Sequence, residues 1–189
     1  MKRTVLDYAL KIRLPLTLFV IALSFVLTFY ISRAERDSVG YKPEQPIKYS
    51  HKLHAGQMAI DCQYCHIGVT KERQAIVPSV NICMNCHSLA RKDKPEIIKL
   101  TKYYNDGVPI PWKRVHKVPE YAYFNHSVHV NKGIDCESCH GNVKEMEFME
   151  QVKPFTMTAC LDCHRHPKEN LTYLKNVNPG PEYCSACHR

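Results

Sequence analysis

Cys62-Gln63-Tyr64-Cys65-His66 (CQYCH) is the stretch that decides how this chain folds, and its pattern recurs four more times. All ten cysteines lie in such boxes, and a histidine follows the second cysteine every time, although only 11 of the 189 residues are histidine. Cys-x-x-Cys-His is the signature of covalent haem c attachment: both thiols bond to the porphyrin, and the next imidazole binds the iron. The repetition therefore predicts five covalently bound haems c.

The boxes are numbered 1 to 5 in chain order: CQYCH (62–66), CMNCH (83–87), CESCH (136–140), CLDCH (160–164) and CSACH (184–188). The predicted thioether residues are Cys62, Cys65, Cys83, Cys86, Cys136, Cys139, Cys160, Cys163, Cys184 and Cys187. The predicted proximal ligands of the five irons are His66, His87, His140, His164 and His188.

Zinc binding and disulfide bonding are the two alternatives for so many cysteines. A four-thiolate zinc site takes two Cys-x-x-Cys pairs, and five pairs is an odd number. Disulfides within a box would close very small rings, and disulfides between boxes would leave the five trailing histidines without a purpose. The sequence therefore favours haem over both.

An uncharged apolar run, LPLTLFVIALSFVLTFYI (14–31), lies near the N-terminus. At about 1.5 Å per residue this run is about 27 Å long as a helix, close to the roughly 30 Å hydrocarbon core of a bilayer. We therefore expect one transmembrane anchor over residues 14–32 and a linker over 33–46. A cleaved signal peptide is the alternative, but its apolar part is usually shorter, and Ser32-Arg33-Ala34 is a weak cleavage site.

Basic residues before the apolar run set the expected topology. They are Lys2, Arg3, Lys11 and Arg13. By the positive-inside rule, residues 1–13 stay in the cytoplasm and everything after the anchor crosses the membrane. The expected location is the bacterial inner membrane, single-pass, with the haem domain on the periplasmic side.

The remaining chain, residues 47–189, must hold all five predicted haems, which leaves too little polypeptide for an ordinary core. Porphyrin faces and iron–imidazole bonds are therefore expected to order it. The predicted fold class is a multihaem cytochrome c: mostly irregular backbone with short α-helices around a haem-packed core, one N-terminal transmembrane helix, and little or no β-structure.

An internal repeat organises this domain. YSHKLHAGQMAIDCQYCH (49–66) and FNHSVHVNKGIDCESCH (124–140) share an aromatic residue, two histidines three residues apart, a glycine, Ile-Asp and a box. Histidines at i and i+3 lie on one helical face at different heights, so they can serve two different irons. This predicts a two-haem half over 47–88 and a three-haem half over 121–189. The predicted distal ligands are His51, His54, His126 and His129.

Residues 89–120 separate the two halves. PEIIKLTKYYNDG (95–107) predicts a short helix with Pro95 in its first turn and Gly107 at its end. A Pro-rich strap follows, and its His116 is a further candidate distal ligand. Met157, just before box 4, is the remaining candidate, with His166 as its competitor. These side chains are enough to fill every sixth position, so the haems are expected to carry electrons, and the chain is not expected to be an enzyme on its own.

The formal charge of +8 does not indicate nucleic acid binding. Each haem brings about two propionate carboxylates, so five haems nearly cancel the excess positive charge. The sequence also carries no phosphate-binding motif or base-stacking platform.

An N-terminal anchor followed by five boxes resembles the membrane-attached pentahaem cytochrome c subunit of bacterial alternative complex III. The stretches that carry the resemblance are VPSVNICMNCH (77–87), PIPWKRVHKVPEYAYFNHSVHV (109–130) and MTACLDCHRHP (157–167). More broadly, the double-histidine lead-in is similar to class III multihaem cytochromes c. His166 departs from the expected pattern, and this leaves Met157 in doubt.

The resemblance implies a subunit that receives electrons from quinol through an iron–sulfur, molybdopterin-like subunit. It would pass them to a monohaem cytochrome c or a terminal oxidase, with its anchor packed against integral membrane subunits.

Two other functions remain open. A stand-alone, membrane-anchored quinol dehydrogenase that feeds periplasmic reductases would need its own quinol site and an unusual haem near the membrane. A multihaem reductase enzyme would need an iron with a vacant position, often in a nonstandard box, whereas all five boxes here end in histidine.

Overall fold

The computed structural model describes residues 7–189, with residues 32–37 described by their backbone alone. It divides between Ser38 and Val39 into an N-terminal unit and a larger C-terminal unit. Lys2 and Arg3 of the predicted cytoplasmic segment lie outside the described residues.

The described part of the N-terminal unit is one long helix. A π-helical turn, Ala9–Arg13, runs into helix α1, Leu14–Asp37. Its stretch Ala9–Ile31 is 23 residues long with a mean hydropathy of 2.3. That corresponds to about 35 Å of helix, enough to cross the roughly 30 Å apolar core of a bilayer. Length and composition suit either a membrane anchor or a signal sequence.

The C-terminal unit consists of short helices joined by irregular backbone. Its α-helices are α2 (Cys62–Cys65), α3 (Val80–His87), α4 (Pro95–Asn105), α5 (His126–Val130), α6 (Cys136–His140), α7 (Met157–Arg165), α8 (Pro167–Asn170) and α9 (Cys184–Cys187). A π-helix, Lys52–Gln57, and a 3-10 turn, Val143–Glu145, complete the set. Within residues 7–189 there is no strand, only an isolated bridge between Ala122 and His188. The prediction of short helices, irregular backbone and little or no β-structure is confirmed for these residues.

Each haem box forms a helical turn or lies within a longer helix. Boxes 1, 3 and 5 start their helices at the first cysteine, while boxes 2 and 4 lie inside α3 and α7. Asp61 caps box 1 by accepting a hydrogen bond from Gln63 N (2.7 Å), and Thr156 caps α7 by accepting one from Ala159 N (3.3 Å). A helical turn brings residues i and i+3 to the same face. Both thiols of a box therefore lie on one side.

The predicted helix between the halves is present as α4, with Pro95 in its first turn and Gly107 beyond its end at φ 66°. Leu100 of α4 is buried with Ile47 and Ile110, and Trp112 packs against this cluster. Few other apolar side chains are buried in the C-terminal unit: Val69, Val115, Pro167 and Leu171. The protein core is as small as the ratio of residues to boxes predicts.

The two copies of the repeat differ in length by one residue, and the structure shows where the extra residue of the first copy lies. In the first copy the chain forms the π-helix Lys52–Gln57, and Ile60 N donates to His54 O at 3.0 Å. In the second copy Ile134 N donates to His129 O at 3.2 Å, with one residue fewer between them. The wide π-turn therefore absorbs the extra residue and keeps the two histidines and the box in matching positions.

Aligning these hydrogen bonds pairs Ala59, rather than Gly56, with Gly133. Ala59 has φ 54° and Gly133 has φ 80°, so both take the left-handed conformation that closes the turn before Ile-Asp. For a residue with a Cβ this conformation costs about 1–2 kcal/mol, whereas glycine adopts it freely.

Ala59→Gly is therefore expected to raise the free energy of unfolding by about 0.5–1 kcal/mol, even though the extra chain entropy of glycine offsets part of the gain. Gly133→Ala, the matched change in the other half, should lower it by about 1 kcal/mol. Guanidinium unfolding of the haem-loaded protein, followed by circular dichroism, measures both. Shifts of the same sign for the two variants would contradict the alignment.

Candidate haem-binding site

Four of the five histidines that close the boxes are held in one way, while the buried Nδ1 of His140 has no hydrogen-bond partner. Their Nδ1 atoms face backbone carbonyl oxygens: His66 at Ile76 (2.9 Å), His87 at Ala90 (3.1 Å), His164 at Pro181 (2.7 Å) and His188 at Tyr121 (3.2 Å). A carbonyl only accepts, so the proton sits on Nδ1 and Nε2 keeps its lone pair. Metal-binding histidines are fixed in this way.

Three of the four lead-in histidines are held by the same kind of bond, and the exception is His51, whose buried Nδ1 has no hydrogen-bond partner. His54 Nδ1 donates to Ser50 O (2.9 Å), His126 Nδ1 to Arg73 O (2.9 Å) and His129 Nδ1 to Asn125 O (2.8 Å). Their Nε2 atoms are therefore also free to bind a metal. Nothing in the sequence identifies these carbonyl partners, because they come from the backbone of other segments and of the preceding turn.

Three lead-in histidines face box histidines at a spacing that suits two ligands on one iron. The ring centroids are 6.2 Å apart for His54 and His87, 6.5 Å for His126 and His140, and 6.2 Å for His129 and His164. Two metal–nitrogen distances of about 2 Å plus two ring radii of about 1.2 Å give about 6.4 Å for imidazoles on opposite sides of one metal. The donor set and its spacing therefore fit haem iron.

These pairs follow one rule in both halves. In the second half the first histidine, His126, faces its own box, and the second, His129, faces the next box. In the first half the second histidine, His54, again faces the next box, which leaves His51 for box 1. Burial, followed by the charge of the His66 ring, lowers the pKa of His51 to about 4, so the ring is neutral at pH 7 and able to bind iron.

His116 lies beside box 3. Its ring centroid is 4.3 Å from that of His140 in an edge-on arrangement, which is too short for two ligands across one iron. Its Nε2 is buried and has no hydrogen-bond partner, and burial lowers its pKa. Burial, followed by the neighbouring His116 charge, lowers the pKa of His140 to about 3. The strap thus delivers a neutral imidazole with a free nitrogen to the middle of the domain.

The last two candidate ligands lie at the ends of α7. Met157 begins this helix and is 65% exposed, and His166 caps its C-terminus and is also exposed. The box 5 histidine, His188, stacks against Tyr121, with the ring centroids 5.8 Å apart, rather than facing a second histidine as the histidines of boxes 2, 3 and 4 do.

All ten cysteines are free thiols. Burial raises the pKa of Cys65, Cys83, Cys136, Cys139, Cys160 and Cys163. Reactive redox dithiols require a lowered pKa, which is the opposite shift. Within residues 7–189 no group of three or more histidine, cysteine or acidic side chains is arranged to hold a bare metal ion. The described cysteines therefore match neither a reactive redox dithiol nor a bare-metal site.

The boxes form a row whose order differs from the chain order. Asn85 of box 2 donates to Tyr64 Oη of box 1 at 3.1 Å. Burial and then the Cys62 thiol, which is hydrogen-bonded to Cys136, raise the pKa of Cys136, so boxes 1 and 3 adjoin.

Boxes 3 and 4 adjoin, since the single helix α5 places His126 beside His140 and His129 beside His164. The Cys163 thiol also adds to burial in raising the pKa of Cys139. Beside box 4, Arg165 pairs with Glu182, two residues before box 5, at 2.8 Å. The Cys187 thiol of box 5 follows burial in raising the pKa of Cys160 of box 4. The order in space is 2, 1, 3, 4, 5.

Gly180 allows the chain before box 5 to pass directly over His164. Gly180 N donates to His164 O at 2.9 Å, and a Cβ on this glycine would lie 2.5 Å from Cγ of the His164 ring. Gly180→Ala is expected to push this ring away from the Pro181 carbonyl and shift the spectrum of one haem. Lys175→Ala, an exposed change in the same loop, is the control. Unchanged spectra for Gly180→Ala in low-temperature absorption would show that the contact does not hold His164.

The comparisons with known proteins agree with this geometry. Residues 122–189 match the family of cytochrome c7 and related cytochromes c. The multihaem cytochrome c subunit of menaquinone reductase from Nitratidesulfovibrio vulgaris is 32% identical over 156 residues, which cover 77% of this chain and 68% of that protein. On the strength of that match and of the boxes themselves, the chain belongs to the multihaem cytochromes c, a family of electron-transport haem proteins.

Proposed function

We propose that the chain binds five haems c and conducts electrons along the row of boxes 2, 1, 3, 4 and 5 as a subunit of a quinone-linked respiratory complex. The observation that carries this proposal is the set of three histidine pairs at 6.2–6.5 Å, placed in boxes that adjoin one another. Bound haem c supplies one-electron oxidation and reduction at its iron.

The protein's own contribution is to hold each pair of imidazoles in place and to keep the boxes adjacent. In each lead-in, two histidines three residues apart belong to one short helical turn. Because that turn reaches into two boxes, it ties box 1 to box 2 in the first half and box 3 to box 4 in the second. His51, His54, His126 and His129 are the proposed sixth ligands of boxes 1, 2, 3 and 4. Met157, with His166 as its competitor, is the candidate for box 5, and His116 is a further candidate ligand that lies beside box 3.

The proposed complex is of the alternative complex III kind. The sequence resemblance supports it, and so does the relative, which is a named subunit of a quinone-linked enzyme. In this arrangement an iron–sulfur, molybdopterin-like subunit donates electrons, a monohaem cytochrome c or terminal oxidase accepts them, and α1 anchors the chain among integral membrane subunits. The haem domain would lie on the periplasmic side of the inner membrane.

A second candidate reverses the direction of electron flow. The relative belongs to a menaquinone reductase, which delivers electrons to quinone rather than taking them from quinol. The row of boxes serves either direction, because the chain's own residues fix the path and the partner subunits fix the potentials at its two ends. A stand-alone quinol dehydrogenase is also compatible with one anchor and several haems.

Purification from the native membrane distinguishes these functions. The proposal predicts a mass increase of five haems, co-purifying iron–sulfur and membrane subunits, and haem reduction by quinol only in the intact complex. Oxidation of the reduced complex by menaquinone would favour the second direction. Reduction of the isolated subunit by quinol would favour the stand-alone dehydrogenase, and a bare polypeptide mass would rule out all three.

A further inference from the structure

The aromatic residue that opens each copy of the repeat contacts both histidines behind it. Tyr49 stacks on His54, with the ring centroids 4.4 Å apart and the planes at 24°, and meets His51 edge-on at 4.9 Å and 86°. Phe124 stacks on His129 at 4.6 Å and 29°, and meets His126 edge-on at 4.8 Å and 87°. Two separate segments of the chain thus build the same three-ring arrangement to within a few degrees.

This arrangement holds the imidazole ring of the second histidine in a single orientation. The Nδ1 bonds, from His54 to Ser50 O and from His129 to Asn125 O, fix where one ring atom lies but allow the ring to rock about that bond. A stacked aromatic face removes the rocking, because tilting the imidazole would drive its edge into the neighbouring ring. The hydrogen bond and the stacked ring together therefore set the plane of the imidazole.

The orientation of the imidazole plane matters because the three histidine pairs differ in the angle between their two planes. The two imidazole planes make 63° in the pair His54 and His87, 26° in His129 and His164, and 3° in His126 and His140. When two imidazoles bind one low-spin ferric iron, nearly parallel planes act on the same iron d orbital and split the set strongly. Planes that approach the perpendicular leave two orbitals nearly equal in energy, which moves the electron paramagnetic resonance to lower field.

We propose that Tyr49 and Phe124 are positioning residues that set the plane of the sixth-ligand imidazole at boxes 2 and 4. Box 2, with its crossed planes, gives a resonance at lower field than boxes 3 and 4. This rests on the proposed function only in that His54 and His129 must be iron ligands. The orbital splitting also affects the potential of each haem. Because both aromatic rings meet their histidines in the same arrangement, the different angles at boxes 2 and 4 come from the box histidines, His87 and His164.

The experiment is electron paramagnetic resonance of the oxidised, haem-loaded full chain. His54→Ala and His129→Ala identify the signals of boxes 2 and 4, since each removes one low-spin signal. Tyr49→Leu is expected to move the box 2 signal while it stays low-spin, with the other signals unchanged. Tyr49→Phe keeps the ring and should leave the spectrum as in the unmodified chain. Phe124→Leu and Phe124→Tyr repeat the test at box 4, so the inference stays testable if one leucine variant fails to mature.

Two outcomes overturn the positioning role. One is a Tyr49→Leu or Phe124→Leu spectrum identical to that of the unmodified chain. The other is conversion of the same haem to high spin, which would mean that the ring merely keeps the ligand attached. Failure of the ligand assignment looks different: His54→Ala would then leave all low-spin signals in place. A redox titration provides a second readout, in which only the leucine variants should shift one potential.

Discussion

His129→Ala is expected to convert one of the five proposed haems to a high-spin state and to slow electron transfer from one end of the row to the other. His129 faces His164 at 6.2 Å, and an alanine methyl group cannot replace its Nε2. Changes to residues that only orient a metal ligand already cost about 10- to 100-fold in affinity or activity, so loss of the ligand itself should slow transfer at least about tenfold. Magnetic circular dichroism counts the high-spin haems, and rapid mixing with a reductant measures the transfer.

The control for this prediction is Lys132→Ala, an exposed change three residues further along the same segment. It should leave five low-spin haems and the unmodified rate. Box 4 is an interior member of the row, so the haems proposed at boxes 3 and 5 should keep their spectra while exchanging electrons more slowly. If His129→Ala keeps every haem low-spin, the pairing of the second lead-in histidine with the following box is wrong in that half.

Gly56→Ala is expected to destabilise the folded domain by about 1–3 kcal/mol, the usual cost of forcing extra volume into a packed contact. A Cβ on Gly56 would meet the backbone carbonyl oxygen of Lys144 well inside contact distance, and backbone cannot rotate away as a side chain can. The same contact surface includes the hydrogen bond from Lys52 N to Met146 O at 2.9 Å. The lead-in of box 1 must therefore separate from the turn that follows box 3.

Gln57→Ala, the next and exposed position of the same π-helix, is the matched control and should change the unfolding free energy by less than about 0.5 kcal/mol. Denaturant unfolding of both haem-loaded variants measures the difference. Equal stability of Gly56→Ala and Gln57→Ala would show that the π-helix and the Val143–Glu145 turn do not pack closely. We also expect Gly56→Ala to change the absorption of the haems proposed at boxes 1 and 3 and not that of the others. The contact joins the lead-in of box 1 to the turn that follows box 3.

Much of the site could be predicted from sequence because its chemistry is local. A Cys-x-x-Cys-His box fits within one helical turn, so spacing alone brings two thiols and an imidazole to one side. The double histidines could be predicted for the same reason, and so could α4, whose start and end are marked by Pro95 and Gly107. The scarcity of buried apolar residues follows from the length of chain available to each box.

The pairing of histidines with boxes could not be predicted, because it joins residues far apart in the chain. Sequence spacing shows that His51 and His54 can reach two irons, but not that His54 faces the following box at 6.2 Å. His116 illustrates the limit: its sequence position suggests a ligand, while only the fold places it 4.3 Å from His140. The sequence repeat suggests that Gly56 and Gly133 are equivalent, but the backbone hydrogen bonds align Ala59 with Gly133.

The sequence by itself determined the kind of cofactor, the number of boxes, the apolar N-terminal helix and the repeat, because each depends on residues within a few turns of one another. Only the tertiary structure decided that the boxes run 2, 1, 3, 4, 5, which carbonyls fix the histidines, and how far the imidazole planes cross. Those properties arise where distant segments pack together. Boxes that are not neighbours in the chain, such as boxes 1 and 3, can adjoin because irregular backbone connects them.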